Sequence, residues 1–245
     1  MDYQKLADEI ALWMYSRLEM AGAKGFVVGL SGGIDSAVTA GLCKRAVGDE
    51  VLAVWMPCHS VPEDEMFSRM VAQAFDLHVL AVDLSPVYDR FLEVLPPGSD
   101  MACANLKPRL RMSTLYYLAQ SRNYLVAGTG NRPEIMVGFF TKYGDGGVDI
   151  EPLGELYKHE VRELARALGV PQPIIDRAPS PGLWPGQTDE GEMGITYAEI
   201  DAILAAWQAG REPDLPEERI RKVETMVKRS AHKREMPPTF PVRRP

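Results

Sequence analysis

Two clusters in this chain have residue types and spacing suited to chemistry. The first is Leu30-Ser31-Gly32-Gly33-Ile34-Asp35-Ser36, preceded by the apolar run Phe26-Val27-Val28 and followed by a helix-like run from Ala37 to Ala46. That order reads as a strand, a tight turn and a helix start. Gly32 and Gly33 permit positive φ angles and close backbone approach, and Ser31, Asp35 and Ser36 are residue types that cap helices. Unpaired N–H groups and the positive end of the helix dipole would face the turn, which favours an anion such as a phosphate. The common kinase-type loop ends in Gly-Lys-Ser/Thr, and no lysine follows here. Asp35 instead sets a carboxylate beside the phosphates, which repels them unless a divalent cation such as Mg²⁺ lies between. A plain Gly-rich turn between strand and helix is the alternative.

The second cluster follows the apolar run Tyr124-Leu125-Val126-Ala127. It comprises Gly128-Thr129-Gly130-Asn131-Arg132-Pro133-Glu134 and then the stretch from Gly138 to Asp149. Glu134 reads as a second carboxylate on the metal, Thr129 as a hydrogen-bond partner for a nucleotide and Lys142 as a counter-charge. Glycines around Asp145 suggest a backbone shaped for a ligand, and a surface loop with scattered charge is the alternative. Lys158 begins an amphipathic helix over 157–168, closed by Gly169. A cation at that end opposes the helix dipole, which points to an anion nearby. His159 reads as a helix-surface residue.

The elements that must position these residues alternate. Leu6, Ile10, Trp13, Met14 and Leu18 recur at helical spacing over 3–21, for core or dimer contact. Strands are expected at 25–30, 51–55, 78–82 and 124–127, and helices at 34–47, 63–75 and 86–95, with a longer helix from Asn105 to about Arg122. This predicts an α/β fold with a doubly wound parallel sheet, flanking helices, and ligands at the carboxyl ends of the strands. Lys107, Arg109 and Arg111 at a helix start suit an anionic ligand or partner, or solvated surface charge. The Pro- and Gly-rich stretch from Ala178 to Gln187 reads as a lid or a disordered loop. Helices over 196–207 and 215–230 form a C-terminal helical extension.

Composition narrows the function classes. With 46% hydrophobic and 25% charged residues, the 245-residue chain suits one globular domain over 1–245. A net charge of −7 argues against broad nucleic-acid binding, though not against a nucleotide substrate. No apolar run approaches a membrane span and the N-terminus lacks a signal-peptide pattern, so a cytoplasmic location with no membrane partner is expected. Cys43, Cys58 and Cys103 lack zinc-site or redox spacing and read as reduced and mostly buried.

The S-G-G-I-D-S run resembles the pyrophosphate loop of ATP pyrophosphatases. The run from Phe139 to Asp149, followed by Pro152-Leu153, and the segments Pro179 to Thr188 and Thr196 to Asp201 resemble the ammonia-dependent NAD⁺ synthetases more specifically. The resemblance implies that ATP adenylates the nicotinate carboxylate of deamido-NAD⁺ and that ammonia displaces AMP to give NAD⁺. It implies ATP contacts from Leu30, Ser31, Gly32, Gly33, Ile34, Asp35, Ser36, Thr129, Lys158 and Ser180, with Asp35, Glu134 and Lys158 as the catalytic set. Mg²⁺ would be held by Asp35 and Glu134. Deamido-NAD⁺ would contact Arg109, Lys142, Asp145, Asp149, His232 and Lys233. The family pattern also implies a homodimer whose dinucleotide sites borrow from both chains, and no glutaminase domain, so that ammonia comes free or from a separate glutaminase. Pro108, Pro133 and Ser180 depart from the family pattern, Ser180 keeping a hydroxyl where several relatives have threonine.

Overall fold

The computed structural model describes residues 1–242 apart from Pro181, Leu183 and Pro185. Its first half alternates helix and strand: α1 (Tyr3–Ala21), β1 (Gly25–Gly29), α2 (Ile34–Val47), β2 (Val51–Trp55), α3 (Pro62–Ala74), β3 (Val79–Ala81), α4 (Ser85–Val94), α5 (Asp100–Arg122) and β4 (Tyr124–Val126). The second half is helical: α6 (Arg132–Val137), α7 (Lys158–Leu168), α8 (Gln172–Ile175), α9 (Asp189–Met193), α10 (Tyr197–Gln208) and α11 (Glu217–Arg234).

The four strands pair in parallel in the order β3-β2-β1-β4, with Val27 opposite Leu52 on one side and Val126 on the other. Side chains of a strand alternate between faces, and both faces here are apolar. Phe26, Val28, Val51 and Ala53 pack with Met14, Leu18, Val38, Leu42, Val161 and Leu164 of α1, α2 and α7. Val27, Leu52, Val54 and Val126 pack with Tyr88 of α4 and Leu118 and Ala119 of α5. Helices on both faces of a parallel sheet are the expected doubly wound architecture. A third cluster, with Val137, Tyr197, Ile200, Ile203, Leu204 and Val223, joins α6, α10 and α11 into the C-terminal extension.

Met14 and Leu18 of α1 are buried together with Ala7 and Ala11, and Leu6 and Ile10 pack against the same core, whereas Trp13 is 40% exposed. One local expectation needs correction. The long helix α5 begins at Asp100, capped by Ser99 Oγ accepting the Ala102 N–H at 3.2 Å, not at Asn105. Lys107, Arg109 and Arg111 therefore lie beyond its first turn, and the dipole gives no reason for them. Pro108 is buried within the helix and does not interrupt it. Beyond the stretch from Ala178 to Gln187 the chain forms α9, its Thr188 cap accepting from the Gly191 N–H at 3.3 Å. Pro181, Leu183 and Pro185 of the expected lid lie outside the described residues.

Candidate active site

From β1 the chain moves outward to β2 and β3, then returns to place β4 on the other side of β1. Such a reversal opens a crevice beyond the carboxyl ends of the two strands. Both sequence clusters lie there, around a cleft of about 570 Å³.

The first cluster forms a self-closed loop. Ser36 Oγ accepts the Ser31 N–H at 3.2 Å and donates to the Gly33 carbonyl at 2.9 Å, and Ser31 Oγ accepts the Gly33 N–H at 3.2 Å. Gly33 is the N-cap of α2 and no side chain caps the helix, so neither serine nor Asp35 fills the capping role their types suggest. The helix start is thereby left open to an anion. Gly32 has φ +77°, and a Cβ there would lie 2.9 Å from the Asp64 carbonyl oxygen. Both conformation and space require glycine.

The second cluster supplies the opposite wall. Asn131 and Glu134 form a capping box at the start of α6: Asn131 Oδ1 accepts the Glu134 N–H at 3.1 Å, and Glu134 Oε2 accepts the Asn131 N–H at 3.2 Å. Pro133 falls in the first turn, where its missing N–H costs nothing. Asn131 Nδ2 also donates to Asp35 Oδ1 at 2.8 Å, joining the clusters across the crevice.

Lys158 completes the centre. Its side chain is only 1% exposed, and Nζ lies 2.6 Å from Asp35 Oδ2, 3.0 Å from Glu134 Oε1 and 4.6 Å from the Tyr197 ring centroid. Burial would by itself lower the lysine pKa, but the Asp35 and Glu134 charges outweigh it and hold the ammonium above its ordinary range. Burial pushes the Glu134 carboxyl up, with Asp35 and Asp189 adding to the rise against the pull of Lys158. The Tyr197 hydroxyl, 2.9 Å from Glu134 Oε1 and 2.6 Å from Asp189 Oδ2, is also pushed up by burial and those carboxylates.

Leu30, Ser31, Gly33, Ile34, Asp35, Ser36, Thr129, Glu134, Asp145 and Ser180 all line the cleft. Lys233, from α11, lines it too, with Nζ donating to the Gly138 and Phe140 carbonyls at 2.7 Å each. Asp145 Oδ1 accepts the Thr141 N–H at 2.9 Å. Arg109, Lys142 and His232 lie together outside the lining: Arg109 Nη2 is 3.4 Å from the Lys142 carbonyl, and Lys142 Nζ donates to the His232 carbonyl. Asp149 is turned to the sheet, accepting from the Val126 N–H at 2.8 Å and the Tyr116 hydroxyl at 3.1 Å. Of the other cations, Lys107 sits 5.5 Å from the Tyr88 ring centroid, and Arg111 donates to the Met56 carbonyl at 3.1 Å while lining the cleft.

Sequence reasoning missed several participants. Asn131 had a visible signal, since Asn-x-x-Glu is a capping-box spacing. Arg177, which also lines the cleft, donates to the Gly32 carbonyl at 3.3 Å and to Asp64 Oδ1 at 2.6 Å, bracing the phosphate loop. Glu151 packs behind Gly128 and Gly130 and accepts the Gly130 N–H at 3.1 Å. Burial pushes its carboxyl up to about 8. A Cβ on Gly128 would meet Glu151 Oε2 at 2.4 Å, so that glycine exists for close approach.

A parallel α/β sheet with a lysine-free phosphate loop at its switch point defines a nucleotide-binding protein of the adenine-nucleotide hydrolase-like class. The NAD synthase family model matches residues 6–237. The chain is 50% identical to the NH₃-dependent NAD⁺ synthetase of Archaeoglobus fulgidus, over 99% of both chains, and 46% identical to that of Carboxydothermus hydrogenoformans, over 96% and 97%. Among solved structures, the NMN synthetase of Francisella tularensis superposes with a TM-score of 0.91 at 36% identity, over 98% of this chain and 99% of that one. The NH₃-dependent NAD synthetase of Campylobacter jejuni gives 0.86 at 29%, over 98% and 100%. The chain belongs to the NAD synthase family.

Proposed function

We propose that this chain is an AMP-forming ligase that amidates deamido-NAD⁺ with ammonia, using ATP as co-substrate. The observation that carries the reading is the junction of a lysine-free phosphate loop with Asp35, Glu134 and a buried Lys158, in a chain that matches the family throughout. Ser31 to Ser36, with Leu30, Thr129 and Ser180, hold the ATP phosphates and nucleoside. Arg109, Lys142, Asp145, Asp149, His232 and Lys233 hold the dinucleotide. The nicotinate carboxylate attacks the α-phosphate, the bond to pyrophosphate breaks, and ammonia then displaces AMP from the acyl-adenylate. Lys158 stabilises the charge that develops on the departing pyrophosphate, a role for a fixed cation in a dry site.

Mg²⁺ is part of the reading. Its preferred partners are one or two carboxylates with phosphate oxygens, and Asp35 and Glu134 are an all-oxygen pair beside the phosphate loop. Among the described residues no three ligating side chains stand close enough to enclose an ion alone, which suits a cation completed by phosphates. Asp35 and Glu134 would hold Mg²⁺ there, and the ion would supply positive charge to the phosphate oxygens.

A homodimer belongs to the same proposal. Phe91, Val94, Leu95 and Met101, from α4 and the start of α5, are 43%, 64%, 48% and 49% exposed, an apolar surface suited to a second copy. Among the described residues no helix is long and apolar enough to cross a membrane, and we place the enzyme in the cytoplasm. The test supplies ammonium or glutamine in turn. NAD⁺ from ammonium alone supports the reading, and a separate glutaminase could then serve as the donor in vivo. Amidation of nicotinate mononucleotide in preference to deamido-NAD⁺ would favour the chemistry named by the Francisella structure instead.

A further inference from the structure

Lys158 is the first residue of α7, the end of a helix whose dipole opposes a cation. The N–H groups of that first turn lack partners within the helix. Nor does α7 have a side-chain cap of its own, because Tyr157 reaches away and donates through its hydroxyl to Gln208 Oε1 at 2.7 Å. The acceptors come from α10, 43 positions further on. Asp201 is buried there, its Oδ1 accepting the Lys158 N–H at 3.3 Å and its Oδ2 the His159 N–H at 3.2 Å. Oδ2 also lies 2.9 Å from His159 Nδ1. One carboxylate therefore spans the first two N–H groups of α7 and sets a negative charge at the helix end that carries Lys158. Tyr197, one helical turn before Asp201, lies against the far end of the same lysine, its ring centroid 4.6 Å from Nζ. Thr196 fixes the start of α10, its side chain accepting the Glu199 N–H at 3.2 Å. The main chain and the ammonium of Lys158 are both held from this one helix.

We infer that Asp201 is a positioning residue for the reaction: by holding the first turn of α7 it sets where the Lys158 ammonium stands. The inference rests on the reading of Lys158 as the cation that stabilises the departing pyrophosphate. Asp201 does not line the cleft, and it acts through the lysine. Lys158 is enclosed on all sides, so a shift of its main chain carries Nζ with it. An asparagine at 201 keeps the size but offers one oxygen, turning an NH₂ group toward the second N–H and removing the charge. The interaction that suffers is one made as the pyrophosphate leaves, so the loss falls on kcat and not on KM.

The test is single-turnover pyrophosphate release, followed for hours with the full chain in excess over ATP and with deamido-NAD⁺ and Mg²⁺ present. Wild type, Asp201→Asn, Lys158→Met and the double variant are compared at a temperature where circular dichroism shows all four folded. Asp201→Asn should slow release by about tenfold or more, within the roughly 10²-fold that a 1 Å misplacement can cost, and its steady-state KM for ATP should stay within about twofold of wild type. In the Lys158→Met background the same substitution should change the rate by less than about twofold, because residues that act as a unit are not additive. His159→Ala, which removes the ring contact and leaves both N–H bonds, should release pyrophosphate like wild type. If the asparagine variant misfolds, Asp201→Ser, whose hydroxyl accepts one of the two N–H groups, serves for the same comparison. A wild-type rate for Asp201→Asn would overturn the inference, as would equal fold-losses with and without the lysine, the mark of a merely structural role. If Lys158→Met itself releases pyrophosphate like wild type, the failed part is the underlying reading of the lysine.

Discussion

Lys158→Met keeps an unbranched side chain of similar size and deletes its charge. In the folded protein this lysine is within 3.0 Å of two carboxylate oxygens, and the Asp35 and Glu134 side chains are only 19% and 15% exposed. Solvent screening is weak at such exposure, and the substitution leaves both carboxylates buried without a cation. Removing one partner of a buried ion pair costs about 3–5 kcal/mol. For a domain of this size that corresponds to a fall in Tm of roughly 6–20 °C. The loss should depend on pH with a definite sign. Without the ammonium, the burial that pushes the Glu134 carboxyl up is no longer opposed by Lys158, so its stability contribution is intact at low pH and falls as pH rises through the folded value. The gap between variant and wild type should therefore widen from pH 5 to pH 8. Urea unfolding of both proteins at the two pH values, without nucleotide or divalent cation, measures it. A loss under about 1 kcal/mol, or one that does not change with pH, would refute the picture of a lysine neutralising desolvated carboxylates.

Other positions give independent tests. Gly128→Ala drives a Cβ into the Glu151 carboxylate and should cost about 1–3 kcal/mol by overpacking; adding Glu151→Ser should recover most of it in thermal unfolding. Glu151 has a folded pKa raised to about 8 by burial, so its contribution is complete below its unfolded value and is lost as pH rises toward 8 and beyond. Glu151→Gln should flatten the stability profile over that window by on the order of 3 kcal/mol, read from denaturation midpoints at pH 5 and pH 9. Phe91→Glu, on the apolar surface of α4, should shift the protein toward monomer in light scattering without lowering the monomer's melting temperature; an unchanged mass would remove that surface from the interface.

Much of the fold was legible because its strands are short apolar runs bounded by turn residues, and the limits of α2 and β2 follow from that pattern alone. The start of α5 was hidden because Pro96-Pro97-Gly98 reads as loop, although Ser99 immediately after it is an ordinary cap. The face of α1 was legible in Leu6, Ile10, Met14 and Leu18, which all meet the core, while Trp13 stays 40% exposed. At the site, Asp35, Glu134 and Lys158 could be picked out by type. Asp35 and Glu134 were read as sharing one metal and the resemblance grouped Lys158 with them, but the direct pairing of Lys158 with both carboxylates was not legible, because Asp35 and Lys158 are 123 positions apart. Glu151 and Asp189 carry no motif of their own. What distinguishes them is burial, against two glycines in one case and beneath a tyrosine hydroxyl in the other.

The most direct test of the central claim is product stoichiometry from purified protein with ATP, Mg²⁺, deamido-NAD⁺ and ammonium. The protein should release NAD⁺, AMP and pyrophosphate in equal amounts, with pyrophosphate release requiring deamido-NAD⁺. Pyrophosphate without NAD⁺, or the release of ADP and phosphate in place of AMP and pyrophosphate, would contradict it.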